Sequence, residues 1–167
     1  DGRLAVAKKI YETAASYGID KKDILVDALC MAVSSDKNGA MTTLETVRRM
    51  REELGGKTVL GVSNISFGLP MREHINSAFF LLALENGLSA AIINPGLPAM
   101  AAAYKSFLVL HGMDENCSGY VEKYGLEEAA RKSEKAAGKQ TGTGIRQTEI
   151  RSREETGDPD AGVPAES

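Results

Sequence analysis

Two cysteines, Cys30 and Cys117, stand far apart in 167 residues. They offer neither a disulfide framework nor a Cys-x-x-Cys metal motif, and they fit a reducing cytoplasm. Two histidines, His74 and His111, are isolated from any ligand-spaced partner, so no metal is expected. Basic residues are not in excess: 20 Lys and Arg against 23 Asp and Glu give a net charge of −3. A polyanion needs a basic face, which argues against nucleic acid as the partner. No apolar run reaches the length of a membrane span, and no charged start leads into an apolar stretch as in a secretory signal. Neither a GxxxxGKS/T loop nor a post-strand GxGxxG is present, which leaves P-loop and dinucleotide sites without support.

What is present describes one ordinary domain followed by a polar segment. Hydrophobic residues are 43% and charged residues 26% of the chain, near the average of globular domains. Residues 1–125 hold every aromatic residue; from Leu126 onward the large apolar residues are Leu126, Ile145, Ile150 and Val163. LEEAARKSEKAAGK (126–139) is rich in helix formers and is expected to be an exposed helix. The remainder to residue 167 buries too little apolar area to offset its ordering entropy, and is expected to be a disordered tail.

Over 1–125 helical and strand periodicities alternate. Leu4, Ala7, Ile10, Tyr11, Ala14 and Tyr17 recur at helical spacing, with Gly18 as a left-handed stop. ILVDALCMAV (24–33) reads as a strand covered on both faces. Thr42 and Glu45 have capping-box spacing ahead of Leu44, Val47, Met50 and Leu54, and Gly55-Gly56 ends that helix. KTVLGVSNISF (57–67) is a second strand pattern. Pro70 suits the first turn of a helix carrying Ile75, Phe79, Leu82 and Asn86, which Gly87 ends. LSAAIIN (88–94) is a third strand, and a helix follows around Ala101–Leu110. Strands about thirty residues apart, separated by helices, describe βα units of a parallel sheet, in an open doubly wound sheet or part of a (β/α)8 barrel.

In either architecture ligands lie beyond the carboxyl ends of the strands. Asp27, Ser63, Asn64, Ser66 and Asn94 fall there, a hydrogen-bonding set suited to a flat heterocycle. Each has a plainer alternative. Asp27 is either a site group or a structural carboxylate satisfied by backbone N–H groups. Asn64 is either a site group or the mark of a bulge or strand end, and Asn94 before Pro95 also reads as a turn. Arg72, in a first helical turn, is either a solvated charge or a contact at the pocket mouth.

The stretch GVSNISFGLPMREHINSAFFLLALENGLSAAIINPG (61–96), with ILVDALCMAVSSD before it and DENCSGYVEKYG after it, resembles the pterin-binding methyltransferase domain of cobalamin-dependent methionine synthase. The resemblance covers residues 1–125 and implies part of a dihydropteroate-synthase-like (β/α)8 barrel, with about three βα units. It implies a methyltetrahydrofolate site and transfer of the N5 methyl to cob(I)alamin carried on another module, in cis or in trans. Asp27 takes the position of the Asp that hydrogen-bonds the pterin ring, and Asn64 that of the Asn reaching N5. Ser63, Ser66, Asn94 and Arg72 lie in the same frame. Three strands are not eight, so the first half of the barrel is expected to lie outside this chain, and the isolated chain to be inactive. Two close relatives of this activity are the methyltransferase serving a corrinoid/iron–sulfur protein and dihydropteroate synthase. The latter carries a Lys and an Arg where this chain reads SNISF and IINP. The alternative of a different class is a non-catalytic barrel remnant.

Overall fold

The computed structural model describes residues 2–155, with side chains to residue 136. The chain divides after Cys117 into two compact units. The first unit runs α1 (Gly2–Ser16), β1 (Leu25–Asp27), α2 (Gly39–Leu54), β2 (Lys57–Gly61), a 3-10 turn (Val62–Ser66), α3 (Arg72–Glu85), β3 (Ala90–Ile92) and α4 (Pro98–Leu110). The strands form one parallel sheet in the order β1-β2-β3. Asp27 is level with Val59, and Gly61 with Ile92. All three carboxyl ends therefore open at one edge.

The helices stand where the 3.6-residue pattern put them, and the left-handed stops are realised at Gly18, Gly55 and Gly87 (φ 75, 56 and 88°). Within the expected apolar lines, Leu4, Ala7 and Tyr11 are buried, whereas Ile10, Tyr17 and Leu82 are exposed. The buried face of α3 is instead Asn76, Phe79, Phe80 and Ala83.

Element boundaries differ from the pattern for local reasons. The first strand ends at Asp27 rather than residue 33. Asp27 Oδ1 accepts the Leu29 N–H at 2.9 Å, and Leu29 adopts φ 56°, which takes the chain out of extended geometry. The capping box does not form: α2 begins at Gly39, so Thr42 lies inside the helix, its N–H bonded to Asn38 O. Asp36 Oδ1 accepts the Asn38 N–H and has already closed the turn. Glu45 pairs with Arg48 instead. The second strand stops at Gly61 because Val62–Ser66 coils into 3-10 geometry. Pro70 precedes α3 rather than standing in its first turn, with Met71 (φ 48°) as N-cap. The third strand is limited to Ala90–Ile92.

One face of the sheet carries the core. Leu60 and Val62 are fully buried among Val47, Phe79, Phe80, Ala83 and Met100, on the side of α2, α3 and α4. A smaller cluster of Ala7, Tyr11 and Met50 packs with Ile24, Val26 and Leu54. The alternate strand residues point the other way. There Leu25 is 52% and Ile92 67% exposed, so the first strand, read from sequence as covered on both faces, is covered on one.

The second unit is described as a single helix, α5 (Ser118–Glu155). It includes the expected helix over 126–139 and continues through residues 140–155, where a disordered tail was expected. Over 126–139 the Ala-, Glu-, Lys- and Arg-rich sequence favours helix, and Glu128 pairs with Arg131 (2.7 Å) and Lys132 (3.6 Å) one turn on. The expected tail over 156–167 lies outside the described residues. Among the described residues no helix is long and apolar enough to cross a membrane, and no group of three or more His, Cys, Asp or Glu could hold a metal ion.

Candidate functional site at the carboxyl edge of the sheet

Asp27 is the last residue of β1 and is exposed. Because strand side chains alternate, packing of the half-buried Val26 against the Ala7, Tyr11 and Met50 cluster turns Asp27 to the open face. Its Oδ1 holds the Leu29 N–H, so the carboxylate is both braced by backbone and open to solvent. The loop behind it is pinned by Arg3, whose Nη1 donates to Ala28 O at 2.9 Å.

Asn64 sits mid-turn after β2, exposed, between the buried Val62, Ile65 and Ser66. Apolar flanks anchor the turn to the core while one polar side chain projects. The carboxamide folds back over the strand end, where a Cβ on Gly61 would lie 3.1 Å from Asn64 Nδ2. Glycine at 61 thus leaves the amide its place.

The two segments are stitched together. Val33 N–H donates to Ile65 O at 3.0 Å, and Ser34 Oγ to Phe67 O at 2.7 Å. Two strand-end polar groups on neighbouring, cross-bonded loops hold a fixed relation to each other.

The other sequence candidates divide. Ser63 is exposed, and its carbonyl accepts from Arg72 Nη2 at 2.7 Å. Ser66 is fully buried, its hydroxyl donating to Asn76 Oδ1 at 2.7 Å and accepting from Arg72 Nε at 3.0 Å. A side chain with no accessible surface cannot touch a ligand at the mouth. Arg72 lies in the first turn of α3 as expected, committed to Ser63 and Ser66 and 5.9 Å from the Phe67 ring. Asn94, two residues past β3, accepts the Gly96 N–H at 2.9 Å, so its oxygen shapes the loop. Asn76 was not legible as a functional candidate; its signal is a polar residue interrupting the apolar stripe of α3.

Cys30 is buried three residues on from Asp27. Burial first, and then the Asp27 charge, push its thiol from 9.0 up to about 11. The native state thus holds a proton that the unfolded chain releases above pH 9, so this group favours folding fully below pH 9 and loses that effect as pH rises through 11. Urea titrations at stepped pH should show the alkaline decline between pH 9 and 11 shrinking in Cys30→Ala by on the order of 2 kcal/mol. An unchanged alkaline limb would contradict this. Cys117 is exposed, so iodoacetamide should label it first.

A family model described as "pterin binding enzyme" matches residues 3–94, which contain all three strands and the Asp27 and Asn64 loops. A methylcorrinoid:tetrahydrofolate methyltransferase from Eubacterium limosum is 27% identical over 123 residues, covering 73% of this chain and 45% of that protein. Methionine synthases from Mycobacterium leprae and Mycobacterium tuberculosis are 31% and 32% identical over 100 residues. Those matches cover 55% of this chain and 8% of each synthase. The chain therefore spans under half the length of each of these relatives. With its parallel strands and their carboxyl-edge loops inside the matched region, the chain belongs to the family of pterin-binding enzymes.

Proposed function

We propose that this chain is the pterin-holding part of a folate-to-corrinoid methyltransferase of the methionine synthase type. Methyltetrahydrofolate would lie across the carboxyl ends of β1 to β3. The observation that carries the reading is the pair Asp27 and Asn64, both exposed at one sheet edge, on loops tied by the Val33–Ile65 hydrogen bond. Asp27 accepts from N–H groups of the pterin and orients it. Asn64 offers both a donor and an acceptor to N5, so it can follow that nitrogen through a change of protonation. As the methyl group departs, its bond to N5 breaks, the electron pair stays on nitrogen, and N5 takes up a proton. A fixed amide dipole beside N5 favours that charge change over the ground state. A corrinoid on a separate module, in cis or in trans, supplies the nucleophile; none is held permanently by these residues. Ser63 and Asn94 border the same edge. Free thiols at Cys30 and Cys117 fit a cytoplasmic setting.

Two features support a barrel over a doubly wound sheet. The strand order is sequential, without the reversal that makes a switch point. The core of the sheet lies on one face, while Leu25 and Ile92 stay open on the other. Apolar residues on both faces call for a second layer, which further strands of a closed barrel provide. The same uncovered face favours a second reading, a non-catalytic remnant, for the chain acting alone.

One pair of measurements tests both. Calorimetric titration of this chain with methyltetrahydrofolate should show binding weaker than micromolar. The polypeptide completing the barrel should convert methyltetrahydrofolate to tetrahydrofolate only when cob(I)alamin is added. Micromolar binding by this chain would refute its incompleteness. No cob(I)alamin-dependent turnover by the completed barrel would refute the methyltransferase assignment.

A further inference from the structure

We infer that Ser66, Asn76 and Arg72 form a positioning latch that sets the Asn64 turn, an inference that rests on the function proposed above. Arg72 and Asn76 are four residues apart on α3, so both face the turn from one helix surface. Between them stands the Ser66 hydroxyl, with no accessible surface. A hydroxyl has one proton to give; at 2.7 Å Asn76 Oδ1 receives it, against 3.3 Å to Ser63 O. Its lone pair accepts Arg72 Nε at 3.0 Å, and the same guanidinium reaches Ser63 O at 2.7 Å through Nη2. The planar fork thus grips the turn on either side of Asn64, at 63 and at 66.

None of these contacts involves the Asn64 side chain, so the latch acts through backbone. Asn76 is 7% exposed on a helix face otherwise formed by Phe79, Phe80 and Ala83. A buried amide is costly unless satisfied, and a leucine there would serve packing better. Its presence is explained by what it holds. With the opposite side of the turn bound through Ile65 O and Phe67 O, the projecting carboxamide is left little angular freedom, which a transition-state contact requires.

Arg72→Lys tests the latch, since Arg72 is exposed and lysine keeps the charge while losing the fork. Ser66→Ala removes the hinge of the network. In this chain, hydrogen exchange over 62–67 should rise at least about tenfold in either variant, with α2 and β2 amides unchanged. In the completed barrel each variant should lower kcat about tenfold with KM nearly constant. In an Asn64→Ala background the same changes should cost no further kcat, because the latch acts through that amide. Additive losses, or unchanged exchange over 62–67, would overturn the latch. Should Ser66→Ala fail to fold, Arg72→Lys carries both readouts. If Asn64→Ala leaves kcat intact, the functional reading falls, while the exchange result still decides whether the latch exists.

Discussion

Replacing Asn64 by alanine is expected to slow methyl transfer by about 10²–10³-fold while leaving methyltetrahydrofolate affinity within about threefold. The asymmetry follows from the contact proposed for the amide. In the proposed site ring orientation falls to Asp27, so ground-state binding survives the loss. What disappears is the dipole facing N5 when that nitrogen gains its electron pair and proton. Preorganised donors of this kind contribute about 3–4 kcal/mol to such steps. The proposed role has a local basis: Val62, Ile65 and Ser66 are buried beside the exposed Asn64, and Gly61 leaves room for the amide against the strand end. Single-turnover rates with cob(I)alamin, beside equilibrium titration of the folate, separate the two quantities. Equal losses in both would reassign Asn64 to substrate binding. Asp27→Ala should do the opposite, weakening folate binding more than it slows the bound complex.

The sequence made the order of elements and the sheet edge legible because both follow from periodicity. Apolar residues at 3.6 spacing place the helices and short apolar runs place the strands without any tertiary knowledge, and parallel strands put residues 27, 64 and 94 at one edge once their succession is known. The boundaries depended on single hydrogen bonds. Asp27 to Leu29 ends β1, and Asp36 to Asn38 starts α2 ahead of Thr42; both are i to i+2 Asx turns, which any aspartate can form and the sequence alone does not mark. The roles of Ser66 and Arg72 depended on tertiary contacts between the Val62–Ser66 turn and α3. No local pattern shows that a serine beside an exposed asparagine is itself buried, or that the arginine near it is already engaged. Asn76 could have been noticed as an amide within an apolar stripe, but its partner lies ten residues back across a loop.

The two faces of the sheet should respond unequally to truncation, and the inequality should change with context. Leu60 has no accessible surface and sits at the centre of the main core, so Leu60→Ala should destabilise this chain by about 2–5 kcal/mol. Ile92, at 67% exposure on the open face, has few atoms around it to lose; Ile92→Ala should cost less than about 0.5 kcal/mol here. In the polypeptide completing the barrel, Ile92 would point into a lumen packed by layers of branched side chains. The same substitution should then cost about 2–4 kcal/mol, approaching Leu60→Ala. Urea denaturation of both variants in both contexts measures this. A small Ile92 effect in the longer polypeptide would mean that the open face is not a barrel interior, and the proposed architecture would fail even if Asn64 behaved as expected. A large effect in this chain would mean that the face is already covered, for instance by a second copy. In that case the cost should fall on dilution, because stability gained by association depends on protein concentration.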